Sequence, residues 1–319
     1  MTSVLADAES SQQMCLSSLN VVVGVCAHNE EKNVGRLLEV LASVHFPSEI
    51  VVVSSGSTDR TDAIVREHRS ADSRVKLIIE PVRSGKAKAV NTIMNACRSD
   101  VLVLVSGDTL PARESIARLV RWFDDPGVGA VSARPVPVNP RKGFGWVAHI
   151  MWSAHWHYLW NLTQSTKLGH VSGEMCAFSS QALAPLPQDI INEDAYMATV
   201  ANRTGFRMLL DPEAIVYMKA PTGIMELIDQ RRRVLAGHRQ VKQKTGHYPT
   251  VLAASWWMYR SASIRTLFSI LREFRLRTWV WGPVLLLCEI LALALTLQLF
   301  GHKTHLLWKP VKSTKNLAV

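Results

Sequence analysis

Residues 21–61, VVVGVCAHNEEKNVGRLLEVLASVHFPSEIVVVSSGSTDRT, decide the fold class. Residues 21–26 form a short β-branched run with no polar alternation. Asn29, Glu30 and Glu31 follow it. Val34, Leu37, Leu38, Leu41 and Val44 then recur at helical spacing until Pro47 ends the helix. Residues 49–53 are a second apolar run, and the polar turn 54–61 leads into a further helix over 62–69. Outward from this stretch the pattern repeats, with a third strand at 75–79, a helix over 85–98 and a fourth strand, VLVLV, at 101–105. Continuous apolar strands alternating with helices predict an α/β fold: a mostly parallel sheet with helices on both faces.

Such sheets bind ligands beyond the C-terminal ends of their strands. Three polar loops fall there: Asn29-Glu30 after strand one, 54–61 after strand two, and Ser106-Gly107-Asp108 after strand four. They converge on one pocket. Gly56 allows close backbone approach, and the helix that follows offers free N–H groups to an anion. Lys86 adds a mobile positive charge, with Asn91 farther along the same helix. Asp108 is a hard oxygen ligand suited to Mg²⁺ or Mn²⁺. A nucleoside diphosphate is the guest that this set implies. The bland alternatives are that Asp59 caps a helix and that Asp108 opens a turn with Pro111.

In order along the chain, AHNEEKNVGRLL, EIVVVSSGSTDRT, GKAKAVN, VLVLVSGDTLP, NED and QRRRV resemble the family-2 glycosyltransferases of GT-A fold, nearest the membrane-attached branch that glycosylates polysaccharides and lipids. The resemblance spans about residues 20–240. It implies inverting transfer of a sugar from a nucleotide diphosphate sugar, a UDP-sugar, helped by Mg²⁺ or Mn²⁺, to a lipid or glycan acceptor. By position it implies that Ala27, His28, Asn29 and Glu30 line the nucleotide pocket. Ser54 and Ser55 stand where two aspartates are usual, and Asp59 matches the later aspartate of that loop. Gly56, Lys86, Asn91, Ser106 and Gly107 join the donor site. Asp108 matches the final, metal-binding aspartate of a D-x-D whose first position is Ser106. Ser172 and Gly173, within HVSGEMCAF, match the acceptor side. Asp194 of NED matches the general base, with Glu193 second. Arg233 and Gln230 match the Q-x-x-R-W motif, with Val234 in place of tryptophan, so a stacking contact to an acceptor sugar is missing. The alternative is a non-catalytic nucleotide-sugar-binding or membrane-docking subunit of a larger assembly.

The 319 residues are 48% hydrophobic and 19% charged, which excludes a disordered chain. Five scattered cysteines exclude a disulfide framework and fit reduced thiols in a cytoplasmic setting. The net charge of +10 is uneven: residues 1–218 carry −2 and residues 219–319 carry +12. The last part also holds the longest apolar run, WVWGPVLLLCEILALALTLQLF at 279–300, whose single charge is Glu289. About 20 apolar residues in a helix span a bilayer core, although a buried core helix broken at Gly282-Pro283 is the alternative. The basic excess therefore faces a membrane and not nucleic acid. Four arginines precede the run and four lysines, Lys303, Lys309, Lys312 and Lys315, follow it, which leaves its orientation open. The expected organisation is a leader at 1–19, a catalytic domain at 20–245 on the cytoplasmic side, an amphipathic interfacial helix at 246–278, a transmembrane or membrane-inserted helix at 279–300 and a basic tail at 301–319. Residues 144–160 place His149, Trp152, Trp156 and Trp160 on one helical stripe, read either as core packing or as an apolar acceptor cleft. His155 and His157 lack the spacing of a zinc helix.

Overall fold

The computed structural model describes residues 19–166, 168–298 and 311–317. The leader and most of the basic tail lie outside these residues. Strands β1 (Val21–Ala27), β2 (Glu49–Ser55), β3 (Val75–Glu80) and β4 (Val101–Ser106) form as the apolar runs predict. Helices α1 (Val34–Ala42), α2 (Thr61–Ala71) and α3 (Lys86–Ala96) connect them. All three pairings in the order β3-β2-β1-β4 are parallel. The alternation of the pleat sorts β1 between two layers. Val21, Val23 and Val25 pack with Leu37, Leu38 and Leu41 of α1, while Val22 packs with Val90 and Ile93 of α3. Each fully buried valine or leucine contributes about 1.5–3 kcal/mol, so a polar residue in these runs would open one layer.

The rest of the sheet is mixed, a feature that the pattern of residues 20–105 does not address. β5 (Thr109–Pro111), α4 (Ser115–Val120), β6 (Val128–Pro137), α5 (Gly145–Ser165), β7 (Met175–Ser179), α6 (Glu193–Ala201) and β8 (Arg207–Met218) complete it. β7 inserts antiparallel between β4 and β6, giving the order β3-β2-β1-β4-β7-β6-β8-β5. This insertion brings residues 172–174 beside the end of β4, where Ser106 N–H donates to the Glu174 carbonyl at 3.0 Å.

Four helices follow: α7 (Ile224–Thr245), α8 (Leu252–Ser255), α9 (Arg260–Phe274) and α10 (Leu276–Gln298). The expected single interfacial helix is thus two, parted at 256–259. Arg275, at φ +48°, separates α9 from α10. Pro283 sits inside α10 without ending it. Among the described residues, Leu276–Leu297 is the one stretch of helix long and apolar enough to cross a membrane. α10 packs along α7 and α5, burying Cys288 and Ala292 against Leu227, Ile228 and Val147. Its lone carboxylate has a partner: Glu289 Oε1 lies 2.5 Å from Arg231 Nε. Trp279, Leu286, Leu287, Ile290 and Leu297 remain exposed on it. Trp256, Ile264, Leu267 and Phe268 extend the same apolar surface along 256–268.

Candidate active site

The loops after β1 and β2 clasp each other through bonds between side chains and backbone. His28 Nδ1 meets the Ser55 carbonyl at 2.8 Å, Asn29 N–H donates to Ser57 Oγ at 3.1 Å, and Thr58 N–H donates to Asn29 Oδ1 at 2.8 Å. Asn29 holds φ +54° to make this turn. Gly56 is at φ +61°, and a Cβ there would lie 2.3 Å from the Arg83 nitrogen, so only glycine lets the 82–84 segment close over the loop. Ser54 and Ser55 are both buried. The Ser54 hydroxyl donates to Ser57 Oγ at 2.8 Å and that of Ser55 to Glu80 Oε2 at 2.6 Å, so both are engaged within the scaffold. Asp59 also holds the loop: its Oδ1 accepts Thr61 N–H and hydroxyl at 3.0 and 2.5 Å, and its Oδ2 accepts Glu31 N–H at 3.1 Å. Burial alone would raise the Asp59 pKa, but these donors outweigh it and keep the carboxylate below its ordinary range. The helix-start reading of Asp59 thus has structural support.

β1 and β4 end side by side, with Cys26 paired to Ser106. Gly107 N–H donates to the Cys26 carbonyl at 2.9 Å. Glu30 is buried, accepts from Asn33 Nδ2 at 2.9 Å, and lies close enough to Asp108 to feel its charge. Burial first and the Asp108 charge second push Glu30 up to about 7, against the pull of Lys315. Two carboxylates that repel each other at a strand end suit a divalent cation. One or two carboxylates with substrate phosphates are how Mg²⁺ is ordinarily held, so Asp108 fits the metal that the resemblance implies, and Glu30 could join it only by releasing Lys315. The expected basic tail is a different object here. Lys315 Nζ pairs with Glu30 and donates to the His28 carbonyl at 2.9 Å, Leu317 N–H donates to Asn33 Oδ1 at 2.9 Å, and Ser313 bonds Glu226. Lys315 is therefore a site residue instead of a lipid-facing one.

Lys86 departs from the reading of a mobile charge. Its Nζ lies 2.8 Å from Glu193 Oε1 and donates to the Gly173 carbonyl at 2.7 Å and to Ser106 Oγ at 3.0 Å. Burial disfavours its proton, but the neighbouring carboxylates, Glu193 foremost, raise its pKa overall. Glu193 is 6% exposed and tied to this lysine, which leaves the next carboxylate, Asp194, as the one beside Gly173: a Cβ on Gly173 would sit 3.0 Å from Asp194 Oδ2. Ser172 donates to Glu174, whose carboxyl burial pushes up to about 7. NED and QRRRV meet directly. Asn192 Nδ2 donates to the Val234 carbonyl at 2.9 Å, and Gly237 of α7 gives the Asn192 side chain its place.

A cavity of about 1020 Å³ joins these groups, lined by Lys86, Asp108, Asp194, Gln230 and Arg233 and also by apolar side chains of α9 and α10. Arg231 pairs with Glu289 and Arg232 with Asp229, whereas Arg233, which with Arg231 lines the cavity, has no carboxylate partner among the described residues. Arg83 belongs with it: burial and then the Arg233 charge depress the Arg83 pKa, so these guanidiniums lie within mutual repulsion. Two such cations suit a diphosphate. Sequence reading missed Arg83, although it stands three residues before Lys86, and missed Glu174 and Lys315. Asn91 is not brought to the site. Its amide donates to the Leu186 carbonyl at 2.8 Å and accepts from Leu186 N–H at 2.9 Å, which faces it to a second cavity between α3 and the 183–188 segment.

Among curated relatives, the chain is 28% identical over 129 residues to a beta-monoglucosyldiacylglycerol synthase of Synechocystis sp., covering 39% of this chain and 27% of that protein. It is 22% identical over 309 residues to the poly-beta-1,6-N-acetyl-D-glucosamine synthase of Staphylococcus epidermidis, covering 94% and 70%. With the Staphylococcus aureus synthase it is 24% identical over 221 residues, covering 68% and 53%. The chain thus spans from about a quarter to seven tenths of these relatives. In fold it is similar to the mannosyltransferase PcManGT from Pyrobaculum calidifontis, solved with GDP-Man and Mn²⁺, at TM-score 0.58 and 23% identity over 90% of this chain and 76% of that one. It is also similar to glucosyl-3-phosphoglycerate synthase from Mycobacterium tuberculosis, solved with Mg²⁺ and UDP, at TM-score 0.52 and 18% identity over 73% and 82%. These likenesses establish the GT-A fold. The family model described as Glycosyl transferase family 2 matches residues 22–186, just over half of the chain. The chain therefore belongs to glycosyl transferase family 2.

Proposed function

We propose that this chain moves a sugar, with inversion, from a UDP-sugar to a hydroxyl of a membrane lipid or glycan acceptor, with residues 20–245 as the catalytic unit at the cytoplasmic face of a membrane. The observation that carries this reading is the single cavity that runs from Asp108 and Arg233 past Asp194 to the apolar faces of α9 and α10. That Asp108, Arg233, Asp194 and the apolar side chains share one cavity supports a donor end, a base and a lipid-facing end.

Asp194 takes the proton of the acceptor hydroxyl as its oxygen bonds to the anomeric carbon. The bond from that carbon to the diphosphate oxygen breaks on the opposite face, and its electron pair leaves with the nucleoside diphosphate. Arg83 and Arg233 receive the charge that develops there. Asp108, with Glu30 once Lys315 releases it, would hold a Mg²⁺ or Mn²⁺ ion, which supplies further neutralisation of the leaving diphosphate. Lys86 fixes Glu193 and the Gly173 carbonyl and so positions Asp194. The exposed apolar surface of 256–268 and α10 holds the acceptor end against lipid.

The test is Asp194→Asn in the full chain, assayed for UDP-sugar turnover with a membrane lipid extract. Loss of a general base costs about 10²–10⁴-fold in rate, with UDP binding retained. Wild-type turnover by this variant would refute the role of Asp194.

A further inference from the structure

Beyond Asp194 the cavity wall carries nitrogen-bearing rings from three distant stretches. Trp152 and His155 come from α5, His170 from the segment before β7, and His238 from α7; all four line the cavity. The Trp152 and His155 rings are 5.7 Å apart and those of His155 and His170 6.2 Å, both edge to face. His170 is 3% exposed and His238 8%. Their Nδ1 atoms and the Trp152 Nε1 are buried with no hydrogen-bond partner among the described residues. An orphaned group of this kind is destabilising until a partner meets it. Three of them around one cavity make a receiver for polar atoms from outside.

The charge of this wall narrows what it receives. Burial drives His155 and His170 down to about 3, and His238 well below its ordinary value, with the Arg231 charge adding to the effect on His155 and His238. The imidazoles are uncharged at neutral pH, and Arg231 is matched by Glu289. Each uncharged ring offers one N–H and one lone pair, the complement of an alcohol, which also both donates and accepts. Arg231, the cation whose charge His155 and His238 feel, is already paired, so an anion gains nothing from it at this wall. The same cavity is also lined by the apolar Leu252, Leu267, Ile270, Leu285 and Leu293.

We propose that Trp152, His155, His170 and His238 form a headgroup subsite for a neutral, hydroxyl-bearing lipid, whose alkyl chains lie along α9 and α10. The assignment rests on the transferase reading above and names its acceptor class.

The test uses the full chain in nonionic micelles, with dioctanoylglycerol as the probe, farnesyl phosphate as the competitor and UDP binding as the control. Dioctanoylglycerol binds and farnesyl phosphate does not displace it. His170→Phe and His238→Phe each weaken the probe about tenfold, the effect of one buried hydrogen bond, with UDP affinity unchanged. His238→Asn, which keeps a donor and an acceptor, restores most of the loss. Displacement by farnesyl phosphate overturns the proposal, and this arm needs no variant to fold. Phenylalanine variants that bind both UDP and probe like wild type also overturn it. A wild-type chain that binds UDP but not the probe sinks the subsite alone, whereas one that binds the probe but not UDP sinks the donor reading and leaves the subsite standing.

Discussion

Replacing Gly237 by alanine tests whether NED and QRRRV work as one unit. On bare helix propensity the change stabilises, since alanine is better than glycine inside a helix by about 1 kcal/mol. The packing reverses the sign. A Cβ at 237 would stand 2.3 Å from Asn192 Cγ and 2.5 Å from both of its terminal atoms. Asn192 cannot swing away freely: its amide is bonded to the Val234 carbonyl at 2.9 Å, and the adjacent Glu193 is held by Lys86 at 2.8 Å. Overpacking of this kind costs about 1–3 kcal/mol, and the lost Asn192 bond adds about 1 kcal/mol. Gly237→Ala is therefore destabilised by about 1–3 kcal/mol net. The displacement passes to Asp194, two residues on, where a misplacement near 1 Å costs about 10²-fold in rate. Thermal melts of the purified full chain and UDP-sugar turnover read the two effects side by side. Asn192→Ala in the same chain removes the obstructing amide, so the double variant recovers most of the melting temperature. The reasoning is refuted if Gly237→Ala melts at or above wild type with full turnover, or if the double variant melts no higher than the single.

Asp108→Asn removes a carboxylate of the proposed cation site and should cut Mn²⁺-stimulated turnover by about 100-fold or more; a Mn²⁺ titration that matches wild type would contradict it. Glu174 has a pKa raised from 4.5 to about 7, so its protonated form stabilises the fold at low pH and that contribution is lost as pH climbs from 4.5 through 7. Melts of Glu174→Gln against wild type across pH 4–8 should show the variant gaining relative stability over that window and holding it above, and a pH-independent difference would count against the burial account. Glu289→Gln strands Arg231, whose side chain is 15% exposed, and should cost toward the lower end of about 3–5 kcal/mol, whereas Arg231→Met with Glu289→Leu recovers most of it; equal melts for all three would show that the pair holds nothing together.

The first half of the sheet is legible because β1, β2 and β4 are sealed on both faces, which writes uninterrupted apolar runs into the chain, while β3 at the sheet edge keeps enough apolar residues to be read despite an exposed Lys76 and Ile79. β6 to β8 are not legible. β8 is broken by Asp211-Pro212, and the register of β6 with β8 shifts between Ser132 and Arg134. The polar loops were readable because a strand end has a known place in such a fold. The direction of a side chain was not. Asn91 and Lys86 share α3, yet one faces the reacting end and the other the Leu186 backbone. Lys315 acts on a residue 285 positions away, a distance over which local pattern carries no signal. The same holds for His155, His170 and His238, which meet only after β7 inserts and α7 folds back. His155 lacks the spacing of a metal ligand, and its place on the cavity wall comes from tertiary packing.

The docked tail constrains how α10 can meet a bilayer. A helix that crosses once inverts sidedness, delivering whatever follows it to the opposite compartment. Lys315 on Glu30 is a parity condition, met by zero or two crossings and violated by one. α10 is moreover fastened sideways to α5 and α7 through Cys288, Ala292 and the Glu289–Arg231 pair. While Lys315 is docked, α10 is not a lone mast through the membrane. An epitope beside Leu317 is therefore expected in the same compartment as Asp108.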